Sequence, residues 1–284
     1  MSALPRVAPA VDTAALGRAA TVALYDELAL APKPGLVSFV DNGSHCDMTA
    51  GTLLRSLFAL RHYFPAIATA GAADADFTAL QRLGIAAEAR MLVATGGVNT
   101  HRGAVFTLGL LCAAGGWLQA RGDAPSPSAL RATLLQRWGR DLDDLARHPR
   151  LSNGLSNGRS AAQRHGLRPA AAEAALGFPV LFDVALPALR RTAHLGPRLA
   201  RLQALFEVMA VLDDTNLAHR GGLDGLRWAQ QQARDFLEAG GAANPAAILR
   251  AQSLHVAFVD RNLSPGGAAD LLAAACWLDR VCTA

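Results

Sequence analysis

The sequence predicts an all-α protein: a single compact multi-helix domain over residues 1–284, with its site built from inter-helix loops. Composition and periodicity carry that reading. The chain holds 60 Ala against 3 Ile and 2 Tyr. Ala is the strongest helix former, whereas a large sheet needs β-branched and aromatic residues. Apolar residues also recur at three- and four-residue spacing throughout, the period of helices with one buried face. Hydrophobic residues make up 51% and charged residues 18%, which excludes wholesale disorder.

The period places helices at about 12–30, 48–63, 76–95, 103–120, 127–147, 170–192, 197–213, 222–239, 244–260 and 265–282. The first stops at the Pro and Gly cluster between Pro32 and Gly43. The second opens just after Asp47, a common N-cap residue. Gly96 and Gly97 close the third as a C-cap. The fourth, Gly103 to Ala120, is the longest uncharged stretch; its four glycines and one glutamine suit a buried core helix better than a membrane span. Pro125 and Pro127 make a surface loop before the fifth. Further breaks fall at Ser152–Gly158, His219–Gly222 and Ser264–Gly267. The last helix has Ser264 as N-cap and Pro265 at its first position.

The net charge is +4 with pI near 9.2. Basic residues form no run and do not interleave with aromatics, so no nucleic-acid partner is expected; a polyanionic small molecule fits. Of 27 basic residues only Lys33 is lysine. Cys46, Cys112, Cys276 and Cys282 lack C-x-x-C spacing, and Met1–Ala20 lacks an uninterrupted apolar h-region. Both point to a cytoplasmic protein with reduced thiols and no membrane anchor.

Five inter-helix loops gather the polar residues. In Pro32-Lys33-Pro34-Gly35-Leu36-Val37-Ser38, flanking prolines stiffen the base from which Lys33 presents its ammonium, as a phosphate ligand or a solvated lysine. In Asp41–Met48, His45 could be a satisfied loop histidine, and Asp47 is a helix cap or a metal or substrate group. Adjacent side chains diverge, so His45-Cys46-Asp47 is a poor zinc site. Glu88 precedes Thr95-Gly96-Gly97-Val98-Asn99-Thr100-His101-Arg102-Gly103, where a helix start offers free N–H groups and His101 and Arg102 reinforce anion binding. Asp213-Asp214-Thr215-Asn216 closes an apolar helix, where the dipole disfavours carboxylates. A compensating Mg²⁺ or pairing with Arg220 or Arg227 would answer that. His219, Arg220 and Gly222 lead into the next helix. Ser264-Pro265-Gly266-Gly267-Ala268-Ala269-Asp270 has a glycine pair that weakens a first turn unless something approaches closely; Asp270 is a second metal candidate. Asn99–Gly103 and Asn216–Gly222 resemble one another, each between a helix end and a helix start. Neither a G-x-x-x-x-G-K-[ST] loop nor G-x-G-x-x-G after a strand is present, so any nucleotide is held by a non-standard site.

Pro32–Val37, Gly96–Gly103, Gly177-Phe178-Pro179, Asp214-Thr215-Asn216 and Ser264–Asp270 together resemble the triphosphoribosyl-dephospho-CoA synthase family, in the family's order. Ser156-Asn157-Gly158 departs from the family's Ser-His-Gly, and Pro169–Ala174 keeps only Glu173 of a charged pair. The resemblance implies that ATP gives its triphosphoribosyl group to the 2′-hydroxyl of 3′-dephospho-CoA and adenine leaves. The product would pass to a phosphoribosyl-dephospho-CoA transferase acting on the acyl-carrier protein of malonate decarboxylase or citrate lyase, with the Ala- and Arg-rich composition leaning to the former.

The chemistry implied passes through an oxocarbenium-like state that carboxylates stabilise, one acting as base. Asp47, Glu88, His101 and Asp214 are the catalytic candidates. Lys33, Ser38, His45, Asn99, Thr100, Arg102, Asn216, His219, Arg220, Ser264, Gly266 and Gly267 are the substrate- and phosphate-binding candidates. Asp213, Asp214 and Asp270 are the metal candidates, for Mg²⁺. His45, His101 or His219 could protonate departing adenine. Two other classes use similar residues: an all-α Mg²⁺-dependent diphosphate enzyme of isoprenoid-synthase type, and a non-catalytic helical module binding CoA-like ligands.

Overall fold

The computed structural model describes residues 11–148 and 157–282. The expected break at 152–156, with Ser156, lies outside the described residues, as does the start of the N-terminal stretch. Among the described residues there is no strand, and the chain is all-α.

The α-helices are α1 (Thr13–Ala29), α2 (Ala50–Leu60), α3 (Tyr63–Ala72), α4 (Phe77–Thr95), α5 (Arg102–Gln119), α6 (Pro127–Arg147), α7 (Asn157–His165), α8 (Ala170–Ala175), α9 (Leu186–Arg191), α10 (Pro197–Val211), α11 (Thr215–Glu238), α12 (Ala247–Asp260) and α13 (Gly266–Val281). Local chemistry sets most ends. Asp12, Asp76 and Ser126 accept backbone N–H bonds at the starts of α1, α4 and α6. Gly96, at φ 68°, closes α4.

Four expectations about elements need correction. α3 was not expected, because Pro65 and small residues blur its period; Pro65 sits in its first turn, where a missing N–H costs nothing. α7 forms where only a loop was foreseen. The expected helix 170–192 is broken at Gly177 and Phe178, both with positive φ, and resumes as a π-helical turn, Val180–Ala185, running into α9. Buried Glu173 bridges the break, accepting from Val180 N at 2.7 Å and pairing with Arg168 at 3.0 Å. Finally, α11 starts at Thr215 and kinks at Gly222 (φ 64°), so His219 and Arg220 stand on a helix. The two resembling segments are therefore not equivalent: Asn99–Gly103 enters α5, whereas Asn216–Gly221 is helical and Gly222 is the kink.

α5 and α13 are apolar on most sides and occupy the centre. α1, α3, α4 and α6 pack around α5, while α1, α9, α10 and the π-helical turn surround α13. Small residues set the closest approach: a Cβ on Gly71 would strike the Ala113 carbonyl, and one on Gly116 the Ala68 carbonyl. The α3 and α5 backbones thus touch, and the inter-helix loops gather around one opening. Among the described residues no helix is long and apolar enough to cross a membrane.

Candidate active site

The loops after α1 and α4, the start of α11 and the α12–α13 loop meet at a cleft of about 990 Å³. That is the upper end of the range for small-molecule sites. Glu88, Asn99, Thr100, His101 and Arg102 line it, as do His45, Asp47, Asn216, His219, Arg220 and Ser264. Gly266, Gly267 and Asp270 also line it.

Lys33 is the largest departure from expectation. It is 1% exposed, and its Nζ bonds the Glu27 carboxylate and, at 2.7 Å, the Glu27 carbonyl. That carbonyl belongs to the last turn of α1, where unpaired C=O groups concentrate negative charge. The proline-braced turn folds the lysine back over this helix end, so its ammonium is not presented to a ligand and Lys33 is not among the lining residues. Burial lowers its pKa, and Glu27 opposes that shift. Ser38 is also off the cleft; buried, it accepts from Val40 N at 3.1 Å in its own turn.

The metal pair is corrected too. Asp213 accepts from Arg168 N at 3.1 Å and does not line the cleft. Asp214, 2% exposed, is the N-cap of α11, not a group stranded at the C-terminus of α10. Its Oδ1 accepts from Asn216 N at 2.9 Å and Leu217 N at 3.3 Å, and its Oδ2 from Ala268 N at 3.0 Å. One carboxylate thus caps α11 and α13 together. That explains Gly267, whose Cβ would lie 3.1 Å from Asp214, and Gly266, whose Cβ would lie 2.8 Å from Asn216 Nδ2. Burial nevertheless raises Asp214 to a pKa of about 6, against the pull of these N–H groups.

Freed from capping, Ser264 bonds His45 Nε2 at 2.9 Å. His45 Nδ1 accepts from Arg220 at 3.1 Å, and Arg220 also donates to the Ser44 carbonyl at 2.7 Å. Burial, then Arg220, lowers the His45 pKa. Asp47 is not the cap of α2; Thr49 is, leaving Asp47 half exposed at the cleft edge, 3.6 Å from His45. Glu88 pairs with Arg102 at 3.1 Å, and burial raises its pKa despite that cation. Asp270 reaches the first turn of α5 so closely that a Cβ on Gly103 would collide with it. Its pKa lies well above the usual carboxylate range through burial, then Glu27, then Asp214. His101 is 4% exposed, and burial plus Lys33 lower its pKa to about 4, so the ring is neutral at pH 7.

Sequence reasoning missed Glu27 and Ser56. Glu27 lines the cleft and is 7% exposed. The signal was present: it lies on the stripe of Leu16, Ala20, Ala23 and Leu24 at helical spacing. Ser56 likewise shares the buried face of Leu53, Leu57 and Leu60. A second, apolar pocket of about 410 Å³ lies between α3, α4 and α5 and shares Glu88, Arg102, Phe106 and Leu145 with the cleft.

Residues 13–284 match the family described as ATP:dephospho-CoA triphosphoribosyl transferase. The chain belongs to this family. It is 43% identical over 266 residues to a probable 2-(5″-triphosphoribosyl)-3′-dephosphocoenzyme-A synthase of Azotobacter vinelandii, covering 91% of this chain and 88% of the relative. No solved structure matches. As a member of a transferase family the chain is an enzyme, and its polar loops converge on one cleft.

Proposed function

We propose that the enzyme transfers the triphosphoribosyl group of ATP to the 2′-hydroxyl of 3′-dephospho-CoA with release of adenine. The observation that carries the mechanism is the meeting of Glu27, Asp270 and His101, from three distant segments, on one cleft. The ribose C1′–N9 bond of ATP breaks and a C1′–O2′ bond forms. The proton lost by the hydroxyl passes by way of a carboxylate to the departing adenine, so that no net proton is gained or lost. Glu27, held by Lys33, stabilises positive charge developing at C1′. Glu88, with its raised pKa and its Arg102 partner, is placed to exchange the proton. Arg102, Arg220 and exposed His219 are the polar groups offered to the triphosphate.

Among the described residues no three His, Cys, Asp or Glu side chains form a metal cage. Mg²⁺ seldom needs one, because it takes one or two carboxylates and completes its shell with phosphates and water. The Asp213–Asp214 pair does not fit this, since backbone N–H groups occupy both residues. Asp270 and Glu27, which line the cleft and influence one another, do fit. When bound with ATP, Mg²⁺ neutralises triphosphate charge.

The apolar pocket suits the pantetheine arm of dephospho-CoA. Tyr63 already donates its hydroxyl to the Val105 carbonyl at 3.0 Å, and the walls are helical, so a purine edge would find few partners there. The enzyme works in the cytoplasm as one domain. Its product goes to a phosphoribosyl-dephospho-CoA transferase acting on an acyl-carrier protein, that of malonate decarboxylase before that of citrate lyase.

The test is incubation with ATP, Mg²⁺ and dephospho-CoA, followed by chromatography and mass spectrometry. Adenine should appear in step with a dephospho-CoA adduct that retains the triphosphate. Pyrophosphate release without adenine would overturn the reading in favour of diphosphate chemistry, and binding without turnover in favour of a binding module.

A further inference from the structure

His101 has one nitrogen satisfied and one orphaned. Its Nδ1 lies 2.7 Å from Ser56 Oγ, while Nε2 is buried without a hydrogen-bond partner. Buried polar atoms left this way are uncommon and ask for an explanation. The neighbouring hydroxyls fix which nitrogen holds the proton. Thr100 Oγ1 donates to Ser56 Oγ at 2.7 Å. Serine has a single hydroxyl hydrogen, and among the described residues Nδ1 is the one acceptor within its reach, since Thr100 is already the donor of the other bond; placing the hydrogen there satisfies both groups. A neutral imidazole that accepts at Nδ1 carries its proton on Nε2. His101 lines the cleft, so the unpaired N–H belongs to a residue facing the ligand site.

We propose that Ser56, fully buried beneath the cleft, is a positioning residue that holds His101 as a neutral Nε2–H donor to the leaving adenine. As the C1′–N9 bond lengthens, negative charge grows on the purine ring nitrogens. A fixed donor that meets one of them bonds more strongly in the transition state than in bound ATP. The ring gives a hydrogen bond and keeps its proton. This removes His101 from the three histidines, with His45 and His219, expected as candidate proton donors to adenine, because a neutral ring cannot readily give up its proton. The role in turnover rests on the triphosphoribosyl-transfer reading; the tautomer does not.

Two measurements test it. In protein labelled with ¹⁵N-histidine, long-range ¹H–¹⁵N correlation spectra should show His101, assigned by its loss in His101→Gln, with a protonated Nε2 and a bare Nδ1. Ser56→Ala should convert it to a tautomer mixture. A protonated Nδ1 in the wild type, or an unchanged tautomer in Ser56→Ala, overturns the proposal, and both spectra come from folded protein whether or not it turns over. Kinetically, Ser56→Ala should lower kcat about tenfold or more, with the KM for ATP within about twofold. A raised KM with unchanged kcat would overturn the assignment to adenine and move the donor to the triphosphate. Glutamine places an amide N–H near the Nε2 position with no tautomer to set. Ser56→Ala should therefore cost nothing further in a His101→Gln background; a full additive loss would also overturn the proposal. Absence of adenine release by the wild type would instead defeat the reaction assignment and leave the spectral result standing.

Discussion

At the residue scale, the only lysine is a structural cation. Its ammonium answers two demands at once, the carbonyl end of α1 and the carboxylate of Glu27. Removing one partner of a buried pair strands the other, at a typical cost of about 3–5 kcal/mol. Lys33→Ala should therefore lower the melting temperature sharply, and Lys33→Met with Glu27→Gln should recover most of it without restoring turnover. A Lys33→Ala protein with unchanged Tm would return the lysine to the surface. His101 gives a pH-dependent test. Its folded pKa of about 4 lies below the 6.5 of an ordinary histidine. The unfolded chain thus binds more protons between these values, and stability falls as pH drops from 6.5 to 4. Asp214, raised to about 6 from 3.8, has the opposite sign: its contribution grows as pH falls through 6. The two partly cancel in the wild type, so the difference from His101→Gln is the informative quantity. Between pH 7.5 and 4 the wild type should lose about 3 kcal/mol more than the variant in denaturant titrations. Parallel curves would mean that the ring is not held neutral.

At the element scale, glycines divide into those that permit contact and those that leave room. Gly71 and Gly116 let α3 and α5 touch. Gly84, in the middle of α4, is the other kind: a Cβ there would meet only Tyr63 Oη, at 3.7 Å, beside the apolar pocket. Gly84→Leu should fill that pocket while improving the helix by about 0.5–1 kcal/mol. The expected signature is a Tm at or above wild type with a KM for dephospho-CoA raised about tenfold and the KM for ATP unchanged. A shift in the KM for ATP instead would assign the pocket to adenine. Gly71→Ala should do the reverse, lowering Tm by overpacking worth about 1–3 kcal/mol.

At the scale of the whole molecule, a polar cleft sits on an apolar scaffold and gathers carboxylates beside the cations that a triphosphate would use. Glu27 and Asp214 both act electrostatically on Asp270, and Lys33 is paired to Glu27. Such a site favours a substrate that brings its own cation. Turnover should stop in excess EDTA and return with added Mg²⁺. Asp270→Asn should raise the Mg²⁺ concentration needed for half activity, while Asp213→Asn should leave it unchanged. Full activity in EDTA with metal-free protein would remove Mg²⁺ from the mechanism.

Helical class and most element positions were legible in the sequence because both follow from local quantities: Ala content, three- and four-residue period, and Pro and Gly breaks. The motif loops were legible as well, since residues such as Asn99-Thr100-His101-Arg102 exceed what a turn needs. Partnership was not. Lys33 and Glu27 are six residues apart, yet only the turn after α1 brings them together. Asp214 caps the start of α13 from 54 residues away, so a pair of acids that reads as a metal site is spent on backbone N–H groups. Ser56 and His101 are joined across 45 residues. The sequence by itself determined the all-α class, its family and the polar loops that line the cleft. Tertiary structure alone decided which charges face the cleft and which lie beneath it, because burial and hydrogen-bond pairing depend on neighbours that sequence spacing does not reveal.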